Sequence, residues 1–455
     1  MTSDQPTASV SPVHSLRRRI LTSGGAIMSG FGVSQVLRLI SNLILTRLLM
    51  PEVFGLMAVA LSINIWAVML TDIGIGSSVI RSPNSEKAAF IRTAWTTQIL
   101  RNLLVWAIII FAAIGVYFLT LGGYVNDESI FADPVLPWLM VAMGVQLPIS
   151  GLGSTNRSLA ERRLQMNRVV GLELAQQLFS MVVTIALAVA GFGIWALVIG
   201  TLSGALFATI LSHFIFAGPR MAWMLDREHF KEIFNFGKWL IIASFFGFIL
   251  NRGDQLIFGW MMNAQSFSLY AIAAIWVMAA VTVFQSVIGR VFFPAFSEVL
   301  REDPDGFETL YKKIRLLLDA AAVAMAIGAY FLAEPIFAII YPDAFSGVGY
   351  YVKLLAPTLL FLPYRLISTA ALAAGNSKGF TAVTVIGGIA MVITLPLTMT
   401  YIGEKAAIIL YASIALVTLP SVWSLGKKLM KLDPMIEGRM ILSALLLAVV
   451  LMLTT

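Results

Sequence analysis

The chain has 455 residues, of which 59% are hydrophobic and only 12% are charged, and its mean hydropathy is +0.88. Soluble proteins carry about 25% charged residues, so this chain has too few polar side chains to cover a water-facing surface. Composition therefore excludes a soluble enzyme, a secreted disulfide-linked scaffold and a disordered chain. The sequence contains 0 cysteines and 3 histidines, which excludes thiolate chemistry and leaves little for a histidine metal site. We expect no catalytic residues, no metal and no cofactor.

Long apolar segments divide the chain into thirteen predicted spans, since about 20 apolar residues cross a bilayer core. The predicted spans are 21–48, 54–78, 94–121, 135–155, 169–190, 193–216, 238–260, 267–290, 314–333, 349–374, 380–400, 405–425 and 438–454. The last segment is read as a thirteenth span, a half-buried helix or the first helix of a pair. The predicted domains are a basic cytoplasmic segment 1–20, a six-helix bundle 21–217, a cytoplasmic linker 218–237, a second six-helix bundle 238–426, and a basic cytoplasmic loop with the possible extra helix at 427–455.

Lysine and arginine residues set the predicted orientation, because cytoplasmic loops of membrane proteins carry an excess of them. With the N-terminus in the cytoplasm, the inside segments hold most of the 31 basic residues, Arg315 among them. The outside segments hold only Lys353 and Lys405. The net charge of +7 is thus explained by the basic cytoplasmic loops that orient the protein in the membrane, and we expect no nucleic-acid partner.

An internal repeat relates the two predicted bundles. A shift of 213 residues places the run Phe54–Ala60 on Phe267–Ala273 and places Asn42 on Gln255. The shift covers six helices, an even number, so both halves have the same orientation in the membrane. Parallel repeats of this kind are a common architecture of transporters.

Polar residues inside the predicted spans mark the candidate site, because a charge at the centre of a span costs roughly 2.5–3.5 kcal/mol. Arg38, Arg252 and Arg365 lie deepest in their spans. The first span places polar residues on one helical face, and the seventh repeats the pattern. These residues are Ser34, Gln35, Arg38, Ser41 and Asn42 in the first span, and Asn251, Arg252, Asp254 and Gln255 in the seventh. The pattern predicts a hydrated central cavity, or else hydrogen bonding between helices within each bundle.

The deep charges are mainly arginines, and this excess of positive charge predicts an anionic substrate. Arginine stays protonated and presents a planar fork that matches phosphate. Asp72, Glu173 and Asp254 are candidates for carrying a coupling proton or sodium ion.

Three further segments of the sequence are distinctive: Thr46–Leu56 (TRLLMPEVFGL) at the end of the first span, Asp72–Gly76 (DIGIG), and Asp254–Gly259 (DQLIFG) in the seventh span. These segments resemble the polysaccharide transporters, the Wzx-type flippases of the multidrug/oligosaccharidyl-lipid/polysaccharide (MOP) exporter superfamily. The chain is most similar to the colanic-acid and succinoglycan exporter branch.

The resemblance implies an all-α protein of the bacterial inner membrane, with two six-helix bundles in a V around a central cavity, plus the extra C-terminal helix. It implies transfer of a polyprenyl-diphosphate-linked oligosaccharide to the periplasmic leaflet for exopolysaccharide, O-antigen or capsule synthesis. Arg38, Arg252 and Arg365 would then bind the diphosphate, and the other polar residues of the two stripes would bind sugar or water. Membrane lipid, a polysaccharide polymerase and a chain-length regulator are the expected partners.

Three alternatives remain open from sequence. Two belong to the same superfamily: an ion-coupled multidrug exporter and a flippase for a peptidoglycan lipid precursor. The third is an enzyme, a membrane polysaccharide polymerase. Such enzymes generally place their catalytic residues in a substantial outside loop, and the longest predicted outside loops here are only 122–134 and 334–348. We therefore expect a transporter and not an enzyme.

Overall fold

The computed structural model describes residues 12–292, 296, 299, 306–373, 377–418 and 420. In these residues the regular structure is helical, apart from one isolated antiparallel bridge between Ser129 and Asn263. The predicted extra helix at 438–454 and the basic loop before it lie outside the described residues.

The first half of the chain forms a bundle in which α1 packs on α8, α8 packs on α9, and α4 packs on α5 and α6. Its helices are α1 (Pro12–Leu45), α2 (Pro51–Leu70), α3 (Ile75–Arg81), α4 (Ala88–Leu121), α5 (Leu136–Gly144), α6 (Gln146–Gly151), α7 (Asn156–Arg162), α8 (Met166–Val189) and α9 (Ile194–Ile215).

The second half forms a bundle in which α10 packs on α16, and α13 packs on α11 and α12. Its described helices are α10 (Arg227–Met261), α11 (Ala264–Val287), α12 (Phe307–Ile340), α13 (Val348–Leu355), α14 (Pro357–Leu360), α15 (Arg365–Ala373), α16 (Ser377–Tyr401) and α17 (Glu404–Ala412). A π-helical turn, Ile288–Phe292, extends α11, and a 3₁₀ turn, Leu362–Tyr364, joins α14 to α15.

Eight described helical segments are long and apolar enough to cross a membrane, or nine if the bent segment Leu136–Arg162 counts as one span. This multi-pass architecture confirms the predicted fold class. Within α1, Ser29–Leu45 forms a shorter apolar helical segment.

Several predicted spans are broken rather than continuous. The predicted span 54–78 ends early: α2 stops at Leu70 and α3 begins at Ile75, because Gly74 adopts φ 57° and the carboxylate of Asp72 accepts a hydrogen bond from its N–H at 2.9 Å. The predicted span 349–374 is split into α13, α14, a 3₁₀ turn and α15. Pro357 and Pro363 begin two of these breaks, since proline has no N–H to continue a helical ladder.

The linker between the bundles ends in a capped helix. Asp226 is the N-cap of α10, and its carboxylate accepts hydrogen bonds from the backbone N–H groups of Glu228 and His229, each at 3.0 Å. The bond from His229 holds the pKa of the Asp226 carboxyl below its usual value. The cap fixes where α10 enters the second bundle.

The two bundles meet tightly at one end, where α2 packs against α10 and α11. A Cβ on Gly55 would lie 2.2 Å from Oγ of Ser268, and a Cβ on Gly259 would lie 2.9 Å from Val59. Ser129 also donates from Oγ to the carbonyl of Gly259 at 2.9 Å. We call this region the closed end.

The approach of Gly55 to Ser268 supports the internal repeat. The 213-residue shift places these two residues on each other. Equivalent positions of two repeats touch only near the axis that relates the repeats, just as the same patch meets itself across a two-fold interface. The contact therefore lies beside the axis between the bundles.

Candidate functional site

A cavity of about 1410 Å³ lies between the two bundles. The first bundle lines it with α1, α2, α8 and α9, and the second lines it with α10, α11, the break before α15, and α15 to α17. The cavity therefore joins the elements that the sequence analysis singled out as polar.

The polar stripe of α1 faces this cavity. All five of its members line the cavity: Ser34, Gln35, Arg38, Ser41 and Asn42. Ser34 donates from Oγ to Oε1 of Gln177 at 2.5 Å, and Gln177 donates from Nε2 to the carbonyl of Ser34 at 2.8 Å. This reciprocal pair holds α1 against α8, so the stripe serves both the cavity and the packing of its own bundle.

The three deep arginines meet in the cavity. Arg38, Arg252 and Arg365 all line it, and each side chain is solvent-accessible there. In the part of the chain that the structure describes, none of the three guanidinium groups forms a salt bridge. Nη2 of Arg38 donates to Oε1 of Gln35 at 2.7 Å. Arg38 also repels Arg252 across the cavity, so the site concentrates positive charge.

Asp254 lies beneath the cavity surface and not on it. Its side chain is 2% exposed and it does not line the cavity, unlike Gln255 next to it. Oδ2 of Asp254 accepts a hydrogen bond from the hydroxyl of Tyr270 at 2.5 Å. The carboxylate also interacts electrostatically with Arg252 and Tyr411, both of which line the cavity. It is therefore a buried carboxylate one layer behind the arginines.

The other two acidic candidates have different surroundings. Glu173 lines the cavity, and it forms an ion pair with Arg157 at the surface. Asp72 is absent from the cavity wall and accepts from the N–H of Gly74. The neighbouring Arg101 donates to the carbonyls of Thr71 and Val68 at 2.9 and 2.6 Å. The contacts of Asp72 are those of a residue that shapes the turn between α2 and α3.

Sequence reasoning missed part of the cavity wall. The side chain of Asn251 lies outside the described residues. Polar wall residues that the sequence did not single out come from α11 and the C-terminal part of the chain: Thr282, Gln285, Thr358, Tyr411 and Thr418. Gln176 and Ser180, which share one face of the fifth predicted span, and Tyr364, which follows Pro363, also line the cavity. A lone threonine or tyrosine in an apolar span looks the same in sequence whether it faces a cavity or bonds to its own helix.

The family model described as "Polysaccharide biosynthesis protein" matches residues 44–350, more than half of the chain. The chain belongs to this family. The match covers α2 to α12 and includes Arg252, whereas Arg38 and Arg365 lie outside residues 44–350.

One relative is the "Succinoglycan biosynthesis transport protein ExoT" of Rhizobium meliloti (strain 1021), with 22% identity over 336 residues. The alignment covers 72% of this chain and 65% of that relative's length. Among solved structures, a lipid II flippase MurJ in an inward closed conformation is similar with a TM-score of 0.70, 15% identity, and coverage of 94% of this chain and 92% of that chain.

A multidrug resistance MATE family transporter of the MOP superfamily, in an inward-facing conformation, is similar with a TM-score of 0.63 and 14% identity. That likeness covers 86% of this chain and 96% of the other. At these identities the structural likeness shows the fold alone. The predicted resemblance is confirmed, and the protein is a multi-pass membrane protein of the polysaccharide biosynthesis family.

Proposed function

We propose that this protein moves a polyprenyl-diphosphate-linked oligosaccharide from the cytoplasmic to the periplasmic leaflet of the bacterial inner membrane, for assembly of an exopolysaccharide, O-antigen or capsule. The observation that carries the proposal is the set of three arginines, Arg38, Arg252 and Arg365, that converge on one cavity between two repeated bundles and form no salt bridge with the residues that the structure describes. The family match and the succinoglycan transport relative support the class of substrate.

The size of the cavity suits a large head group. Pockets for drug-sized ligands measure about 300–1,000 Å³, whereas this cavity measures about 1410 Å³. Its wall also carries many hydroxyl and amide groups, such as Ser41, Gln176 and Thr201. These groups match the hydrogen-bonding surface of an oligosaccharide, whose hydroxyls both donate and accept.

The charge of the cavity suits a diphosphate. A guanidinium inside a membrane protein raises the free energy of insertion. A cluster of three is therefore best explained by a role in binding a ligand. Arginine binds phosphate oxygens through two parallel N–H donors. In our proposal Arg38 and Arg252, one from each bundle, hold the diphosphate, and Arg365 completes the site from the second bundle. The lipid tail stays in the bilayer.

Transfer across the membrane requires the closed end to open, as in alternating access. Besides the packing at Gly55 and Ser268, the hydroxyl of Tyr341 donates to Oδ1 of Asn42 at 2.6 Å and accepts from Nε1 of Trp276 at 2.7 Å. This bond joins the bundles one helical turn from Arg38. By the distribution of basic loops, the closed end faces the periplasm in our proposal, with the N-terminus in the cytoplasm.

For a coupling ion we propose Asp254 ahead of Glu173 and Asp72. Asp254 is buried beside Arg252, so a proton or sodium ion on this carboxylate would change the charge next to the diphosphate site. Glu173 and Asp72 already have partners in Arg157 and in the backbone of Gly74.

A deletion in the native host, scored for surface polysaccharide and for lipid-linked repeat units, tests the proposal. We expect loss of polymer, with repeat units trapped on the cytoplasmic side. The matched complementing variants are Arg38→Ala, which should fail, and Arg47→Ala, which should succeed, since Arg47 is exposed and absent from the cavity wall. Intact polymer with altered drug tolerance would instead favour the multidrug exporter. Lethal depletion that is not relieved by blocking the first sugar transfer would favour a peptidoglycan-precursor flippase.

A further inference from the structure

One arginine outside the cavity is buried more completely than those inside it. Arg315, in α12, has 0% of its side chain exposed, whereas the nearby Lys312 and Lys313 are exposed. Its Nε donates to both carboxylate oxygens of Asp319 at 3.0 and 2.9 Å, one helical turn further along. An arginine that served only to orient the protein would extend its charged end into water, as long basic side chains near helix ends commonly do.

Two further contacts of Arg315 reach the break in the neighbouring helix. Nη1 donates to the carbonyl of Pro363 at 3.1 Å, and the guanidinium carbon lies 4.3 Å from the ring centroid of Tyr364. The ring of Tyr364 is buried. Arg315 therefore fastens the 3₁₀ turn Leu362–Tyr364 to α12 by a hydrogen bond and a cation–π contact.

The turn that Arg315 fastens leads directly into the cavity. Arg365 follows Tyr364 as the first residue of α15, and both residues line the cavity. The backbone N–H of Arg365 caps the turn on the carbonyls of Leu362 and Pro363. The carbonyl of Pro363 thus receives donors from both arginines, one buried and one in the cavity.

We propose that Arg315 and Asp319 are positioning residues that hold the turn Leu362–Tyr364 so that Arg365 points into the cavity. Burying a guanidinium costs several kcal/mol unless its donors are satisfied. Here the ion pair with Asp319 within α12, the bond to the carbonyl of Pro363 and the ring of Tyr364 offset part of that cost, and the last two contacts depend on the shape of the turn. A lysine cannot make these contacts together, because its ammonium lacks the planar fork.

The absence of cysteine from the chain permits a direct test of this geometry. A single cysteine is introduced as Arg365→Cys, and its labelling rate by a cationic methanethiosulfonate is measured in detergent, with and without Arg315→Lys. Thr201→Cys, on the cavity wall of the first bundle, is the matched control. We expect Arg315→Lys to change the rate at position 365 at least threefold and to leave the rate at position 201 unchanged.

An unchanged labelling rate at position 365 would overturn the proposal. Equal changes in the rate at positions 365 and 201 would also overturn it, because they would assign Arg315 a general role in folding. If Arg315→Lys does not fold, Asp319→Asn tests the same link with a smaller perturbation. What Arg365 binds rests on the proposed function, but the labelling result does not. A separate cycle addresses ligand binding: Arg315→Lys should weaken binding of farnesyl diphosphate when Arg365 is present and have no further effect in Arg365→Ala.

Discussion

The arginine cluster predicts that removing one charge weakens ligand binding without weakening the fold. In Arg38→Gln, the protein loses a guanidinium that donates a hydrogen bond to Gln35 and is repelled by Arg252. Without ligand, the loss of that hydrogen bond is opposed by relief of the repulsion and of the desolvation of the charge. The thermal midpoint of the ligand-free protein should therefore stay constant or rise.

Binding should respond in the opposite direction. A hydrogen bond to a charged group contributes about 1.5–3 kcal/mol, and about 1.4 kcal/mol corresponds to a tenfold change in affinity. The dissociation constant for a polyprenyl diphosphate should therefore rise about 10- to 100-fold in Arg38→Gln. Arg38→Lys, which keeps the charge but loses the fork, should lie between the variant and the wild type.

Calorimetric titration with farnesyl diphosphate in detergent, beside a thermal melt of each ligand-free variant, measures both quantities. Arg47→Gln is the control, because Arg47 is exposed outside the cavity wall. Unchanged affinity in Arg38→Gln would refute the assignment of Arg38 to the diphosphate. A lower thermal midpoint of Arg38→Gln, together with an equal loss of affinity in Arg47→Gln, would refute it as well.

Three further predictions concern the closed end and the buried acid. Gly55→Ala should hold the bundles apart, because its Cβ would lie 2.2 Å from Ser268 Oγ; Ser268→Gly should rescue it, and Gly115→Ala, with open space around it, should have no effect. Electron-spin distances between labels across the closed end report the separation, and wild-type distances in Gly55→Ala would contradict the packing argument. Tyr341→Phe removes the hydrogen bond to Asn42, which contributes about 1 kcal/mol. The ratio of open to closed molecules should therefore rise about fivefold in the same distance measurement. An unchanged distance distribution would show that the hydroxyl has no part in closure. Asp254→Asn should keep binding of farnesyl diphosphate but abolish the response of transport to a proton or sodium gradient, and a retained response would move the coupling site elsewhere.

Much of the membrane architecture follows from local sequence patterns. Apolar length locates the helices, and the polar stripe of α1 locates a cavity wall, because in lipid a polar helical face has to turn inward. The internal repeat could also be predicted from the sequence. The 213-residue shift places Gly55 on Ser268, and these two residues are in contact in the structure.

The failures of sequence reasoning concern partners that are distant in the chain. From the sequence alone, Arg315 is an ordinary basic residue on the cytoplasmic side. Only the structure shows its contact with the helix break at Pro363, 48 residues later. Glu173 pairs with Arg157, which lies in a different helix. Asp72 illustrates a local miss: Gly74 two residues later was a visible sign of a turn, since an aspartate side chain commonly bonds to the backbone two residues on.

Reconstitution tests the central claim most directly. The purified protein is placed in vesicles that carry a polyprenyl-diphosphate-linked oligosaccharide in one leaflet, and a membrane-impermeant glycosidase reports arrival in the other leaflet. The account predicts transfer by the wild type and by Arg47→Gln, and transfer at the protein-free rate when Arg38, Arg252 and Arg365 are all changed to glutamine. Transfer by that triple variant at the wild-type rate, or no transfer by the wild type, would contradict the claim that these arginines carry the diphosphate head across the membrane.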